Sequence, residues 1–231
     1  MPPLRISASA PRTDPSAKGG LMMSENETEV EIIERRSGHD GFFRVGILTL
    51  KHRTFDGIMS PVLTREVFER GNAAAVLPYD PRSDSVLLIR QLLIGAHLAG
   101  RPNRPLQVIA GMVEAGETGQ DVAAREAVEE AGCEIGRIER AHAFLPSPGG
   151  SSEFVETFVA EADLSSAGGR FGLAEEHEDI RAEVLPAAAA IACLDEGEIE
   201  AGPAVVLLAY FARNHDRIRR SWLGGPQAPG R

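Results

Sequence analysis

Cysteine is scarce in this 231-residue sequence: Cys133 and Cys193 lie sixty positions apart, outside any CxxC or Cys/His arrangement. Neither a disulfide framework nor a zinc site is indicated, and a reducing cytoplasm is the expected location. Long apolar runs are also missing. None reaches ten residues, whereas a membrane-spanning helix needs about 20. The first 20 residues, MPPLRISASAPRTDPSAKGG, lack the apolar core of a secretory signal. Positive charge is in deficit, with 24 Lys+Arg against 34 Asp+Glu, a net charge of −10 and a pI near 5.1. That balance argues against a broad basic face for DNA or RNA, although one small basic pocket for a nucleotide remains compatible with it.

What is present is ordinary globular composition, 43% hydrophobic and 25% charged, long enough to bury a core without covalent staples. Residues 1–23 read as a disordered tail, and Met22 and Met23 are an alternative start. Residues 24–70 carry short apolar runs (Val30–Ile33, Phe42–Leu50, Val62–Phe68) broken by Ser37-Gly38-His39-Asp40-Gly41 and Phe55-Asp56-Gly57. This predicts a small antiparallel sheet, which needs the main domain or a second copy of the chain to pack against. Residues 71–223 form the expected α/β main domain, followed by a short tail at 224–231. Within it, Ala73–Leu77, Val86–Ile89, Leu106–Ala110, Ala141–Leu145 and Phe154–Ala160 read as strands. Thr118–Ala131, Leu185–Glu196 and Pro203–Trp222 read as helices, the last with Val205, Leu208, Ala209, Ala212 and Trp222 near one stripe. There is no internal repeat.

From Gly111 to Glu134 the sequence holds seven acids and one base, Arg125. At 100° per residue Ala124, Ala127, Val128 and Ala131 share a stripe, and Glu126, Glu129 and Glu130 fall on the opposite side. Carboxylates three and four residues apart stand about 5–6 Å from each other and repel. Taken alone, such a face more often marks a solvated surface than a cation site, but Mg²⁺ selects carboxylate oxygens and shares its shell with substrate phosphate. A phosphate-cradling P-loop is excluded, because Gly111-x4-Gly116 is followed by Glu117 rather than Lys.

The order of these residues is specific. Gly111, five residues, Glu117, seven residues, then Arg125-Glu126-Ala127-Val128-Glu129-Glu130-Ala131-Gly132-Cys133 resembles the signature of the Nudix hydrolases, with Ala127 and Cys133 small for their apolar positions. The resemblance implies a Nudix-type α/β/α sandwich with a mixed sheet, carrying the small N-terminal antiparallel sheet as an addition. It implies that Glu126, Glu130 and the Ala110 carbonyl hold Mg²⁺, or Mn²⁺. Glu129 becomes a further or supporting carboxylate, and Arg125 an ion-pair partner of Glu117 or Glu129. Pro148, 15 residues after Cys133 within Ser147-Pro148-Gly149-Gly150-Ser151-Ser152-Glu153, resembles the ADP-ribose pyrophosphatase subgroup.

Downstream, Gly172-Leu173-Ala174-Glu175-Glu176-His177-Glu178-Asp179 is similar to the acidic loop of those enzymes. Carried over by position, Glu176 is the general base and Glu178 a further metal ligand. The likeness runs from about Leu50 to Trp222 and implies a homodimer in which Arg65 reaches the neighbour's substrate and Glu153 touches the terminal ribose. Relatives carry Arg in a Q-x-R pattern where this chain has Gln91-Leu92-Leu93, and Arg90 is expected on the other strand face. The activity implied is metal-dependent cleavage of ADP-ribose to AMP and ribose 5-phosphate. The alternatives are another nucleoside diphosphate sugar, such as GDP-mannose or ADP-glucose, or a nucleotide sensor that does not cut. The sensor fits poorly because every signature carboxylate is present and no basic helix-turn-helix extension accompanies them.

Overall fold

The computed structural model describes residues 29–173 and 177–224. The tail expected over 1–23, the end of the chain past Gly224 and the predicted base Glu176 lie outside the described residues.

The first sheet is antiparallel, with β1 (Val30–Asp40), β2 (Arg44–His52) and β3 (Leu63–Glu69) in that order. β1 continues through Ser37-Gly38-His39-Asp40, where a turn is expected from sequence. A register shift between Ser37 and His39 absorbs the polar residues within the ladder, so the chain reverses only at 41–43. β1 is exposed along its whole length and only Gly46 of β2 is buried, so this sheet has no core of its own. Phe43 stacks edge-on to Phe68 at 5.1 Å. The Phe68 N–H donates to the Gly150 carbonyl (2.8 Å), and the Ser152 N–H donates to the Phe68 carbonyl (3.2 Å). Those two bonds dock β3 onto the Ser147–Glu153 loop.

The second sheet has eight strands: β4 (Ala73–Asp80), β5 (Ser85–Arg90), β6 (Leu106–Gln107), β7 (Ile109–Met112), β8 (Ile135–Phe144), β9 (Val155–Ala162), β10 (Gly169–Phe171) and β11 (Ile180–Pro186). The path is β10-β11-β5-β4-β9-β8, with β6 on β5 and β7 on β4. β4 and β9 run parallel and the other pairs are antiparallel, so the sheet is mixed. Helix α1 (Ile94–Leu98) buries nothing, whereas α2 (Gly119–Ala131), α3 (Ala187–Asp195) and α4 (Gly202–Trp222) cover the sheet. Alternation along β4 assigns the two faces. Ala74 and Val76 join the cluster beneath α2, while Ala75, Leu77 and Tyr79 join the cluster beneath α3 and α4. The α/β/α sandwich expected from sequence is the architecture observed. None of the described helices is long and apolar enough to cross a membrane.

Several local expectations differ from the structure. β4 runs through Pro78 to Asp80 instead of stopping at Leu77, because Pro78 falls where β4 changes partner from β7 to β5 and its missing N–H is least needed. The single strand expected at Leu106–Ala110 is two short ones, each on a different neighbour, and the second passes through Gly111 to Met112. β8 begins at Ile135 rather than Ala141. Leu185 and Pro186 close β11 before α3 starts. On α4 the buried row is Ala204, Leu207, Leu208, Phe211 and Ile218, while Val205 and Ala209 point outward. The stripe is thus rotated by about one residue, since Phe211 and Tyr79 pack edge-on at 4.9 Å and fix which side faces the sheet.

Candidate active site

α2 starts at a capping box: Thr118 Oγ1 accepts from the Asp121 N–H, and the Asp121 carboxylate accepts from the Thr118 N–H. It ends at Gly132, whose φ of 58° is the left-handed C-cap conformation. Between these ends the buried residues are Gly119, Val122, Ala123, Ala127, Glu130 and Ala131. The expected core stripe is therefore displaced: Ala124 and Val128 face solvent, and Glu130, expected opposite the core, is 3% exposed. Val122, Glu126 and Glu130 succeed one another at four-residue spacing, so both carboxylates follow the row that Val122 anchors in the core. That spacing was the sequence signal for their burial.

Glu130 reaches the level of the sheet. Its Oε2 accepts from the Ala110 N–H on β7 (3.1 Å) and its Oε1 from Gln91 Nε2 just past β5 (3.2 Å). Burial, reinforced by the charges of Glu126 and Glu178, pushes its carboxyl up to about 8 despite the Ala110 and Gln91 hydrogen bonds. Burial also raises Glu126, against the pull of Arg125. The Glu126 side chain lies across Gly111, where an added Cβ would collide with its carboxylate.

Arg125 ties the acidic face together. Its Nε donates to Glu117 (3.0 Å), its Nη1 to Glu126 (2.7 Å) and Glu129 (3.2 Å), and its Nη2 to the Met112 carbonyl (3.3 Å). Sequence reasoning offered Glu117 or Glu129 as the partner; the guanidinium takes both and Glu126 as well. Glu117 also accepts from the Glu114 N–H (3.0 Å). With Arg125 as the leading cause, its carboxyl is held below the usual range.

Glu178 approaches from the loop before β11, where its Oε2 accepts from the Leu173 N–H (3.4 Å). Its charge acts on both Glu126 and Glu130, so three of the sequence-predicted ligands share one electrostatic neighbourhood. Among the described residues no three His, Cys, Asp or Glu side chains already converge as a ligand set. Glu126 is engaged by Arg125, and Glu130 by Ala110 and Gln91.

The two predicted substrate contacts lie away from α2. Arg65 is exposed on β3 and donates to the Thr64 carbonyl (2.9 Å). Glu153 pairs with Arg70 at 3.2 Å beside the joint between the two sheets. Sequence reasoning missed Arg70, and no spacing rule could have linked it to Glu153. Arg90 pairs with Glu183 of β11 (3.1 Å) and donates to the Arg104 carbonyl (3.3 Å), in keeping with the opposite strand face expected for it.

An acidic helix seated on a short strand of a mixed-sheet sandwich, with the signature spacing intact, defines the class. The NUDIX domain matches residues 69–206, and the chain belongs to that family. It is 41% identical to the ADP-ribose pyrophosphatase of Escherichia coli, over 87% of this chain and 97% of that protein. The ADP-ribose pyrophosphatase of Haemophilus influenzae is 39% identical, over 85% and 92% respectively. A GDP-mannose pyrophosphatase of Shigella flexneri is 32% identical, over 81% and 97%. The fold resembles the crystal structure of an ADP compounds hydrolase, with a TM-score of 0.62 at 19% identity, covering 87% of this chain and 99% of that one.

Proposed function

We propose that this chain hydrolyses the diphosphate bond of ADP-ribose, releasing AMP and ribose 5-phosphate. The observation that carries the reading is the buried Glu130 carboxylate beside Glu126 and Glu178, on a chain 41% identical to an ADP-ribose pyrophosphatase over nearly its full length.

The residues fit a hard divalent cation, Mg²⁺ or Mn²⁺. Burial raises the proton affinity of Glu126 and Glu130, and the neighbouring Glu178 charge adds to both, a charge distribution that a dication relieves. Glu126, Glu130, Glu178 and the Ala110 carbonyl would hold it. When bound, it would neutralise diphosphate charge and lower the pKa of a water. Glu176 would take the proton of the attacking water. Arg125 keeps Glu117, Glu126 and Glu129 on one side of α2 and competes with the cation for Glu126. Glu129 supports the same charge cluster. Arg65, from a second copy of the chain, would contact the substrate, and Glu153, oriented by Arg70, the terminal ribose. Free thiols at Cys133 and Cys193 suit a cytoplasmic enzyme.

GDP-mannose is the second reading, favoured by the 32% identical relative and by Leu93 in place of the arginine usual in this pattern. A panel of nucleotide sugars with Mg²⁺ and product chromatography separates the two. ADP-ribose should give the highest kcat/KM and yield AMP. A higher kcat/KM for GDP-mannose would reassign the substrate.

A further inference from the structure

We propose that Gln91 is a positioning residue for the Glu130 carboxylate, and through it for divalent-cation binding. This rests on the reading of Glu130 as a cation ligand. Glu130 is nearly sealed from solvent, and its two oxygens are each met from a different element. The β7 backbone N–H of Ala110 holds Oε2 at 3.1 Å, and the amide Nε2 of Gln91 holds Oε1 at 3.2 Å. One donor alone leaves a carboxylate free to turn about its Cγ–Cδ bond. Two donors from separate elements fix its plane. Each oxygen carries two lone-pair directions, so a single donor apiece leaves one on each for a cation.

The residue type matters as much as the contact. Arg or Lys at position 91 would bring positive charge to the carboxylate and oppose a dication, whereas a neutral amide orients it without neutralising it. The location is rigid. Gln91 directly follows Arg90, the last residue of β5, a strand whose four central residues are buried. The turn beyond it is anchored by the Leu93 N–H donating to the Asn103 carbonyl (2.8 Å).

The test uses the full chain stripped of metal, titrated with Mn²⁺ and followed by electron paramagnetic resonance. Gln91→Met keeps the volume and removes the donor. It should weaken Mn²⁺ binding by about tenfold, the lower end of what loss of a ligand-orienting partner costs. The unfolding temperature of the metal-free protein should stay at the wild-type value. At limiting Mn²⁺ kcat should fall and recover as Mn²⁺ is raised, with KM for ADP-ribose little changed. In a Glu130→Gln background the same substitution should cost no further affinity. Gln91→Asn, which keeps the amide but withdraws it by one methylene, should reproduce the loss if Gln91→Met does not fold. Wild-type Mn²⁺ affinity in either variant, or an equal loss in the Glu130→Gln background, would overturn the proposal while leaving the enzyme assignment standing. A wild-type chain that takes up no Mn²⁺ would overturn both.

Discussion

At Gly111 the β7 backbone passes so close to the Glu126 side chain that a single added methyl would collide with its carboxylate. Gly111→Ala should therefore displace Glu126 and lower kcat by about two orders of magnitude, the scale of a misplaced catalytic group, with only a small change in unfolding temperature. Steady-state kinetics alongside thermal unfolding checks both. Arg125 acts differently, as a fork holding three carboxylates. Lysine cannot reproduce a planar bidentate grip, so Arg125→Lys should cost about tenfold or more in kcat. The identities of these residues were legible in the sequence, because the signature spacing names them one by one. Their contacts were less so. Gln91 and Arg70 lie 39 residues from Glu130 and 83 from Glu153 along the chain, and only the folded sheet brings each to its partner.

Among the elements, α2 was the most legible, since Thr118, Asp121 and Gly132 are local start and stop signals. Thr118→Ala removes the cap and should lower stability by about 1 kcal/mol in denaturant unfolding. The inward side of α2 differs from the expected one, because small alanines occupy both the buried row and the exposed one and only the row of Val122, Glu126 and Glu130 separates them. β4 was misread at Pro78 for a related reason: a proline that breaks a strand in general is accommodated where pairing changes hands. The β4–β5 turn holds a further tie. Asp84 accepts from Tyr79 Oη (2.8 Å), lies 2.6 Å from His215 Nε2 and pairs with Arg219 at 3.1 Å, joining the turn to α4. Burial pushes its carboxyl up, but His215, Tyr79 and Arg219 together bring it below the ordinary value. A lowered folded pKa contributes stability that is present above the unfolded value of about 3.9 and is lost as pH falls through the folded one. Asp84→Asn should therefore flatten the acid limb of a stability-versus-pH curve below about pH 4 and leave the site chemistry unchanged.

For the whole molecule, the strand and helix pattern predicted an α/β domain, the resemblance to the Nudix hydrolases implied its sandwich, and the short apolar runs excluded a membrane helix. The sequence left the small sheet to pack on the main domain or on a second copy of the chain, because exposed apolar positions alone do not name what covers them. Val30, Ile32 and Ile33 on β1 are 47%, 56% and 49% exposed, an arrangement a sheet without its own core tolerates best against a second copy. Light scattering should give the mass of a homodimer, and Ile32→Glu should shift it toward monomer. The central claim is narrower: the Glu126 and Glu130 carboxylates are the seat of diphosphate cleavage. It is tested most directly by turnover of ADP-ribose at saturating Mg²⁺ in Glu130→Gln, with folding verified by the wild-type unfolding temperature. The predicted result is wild-type release of AMP that stops with EDTA, and a kcat in the variant lower by about two to three orders of magnitude, as expected when several kcal/mol of metal-based stabilisation are lost. Near wild-type kcat in Glu130→Gln, or AMP release that persists in EDTA, would contradict it.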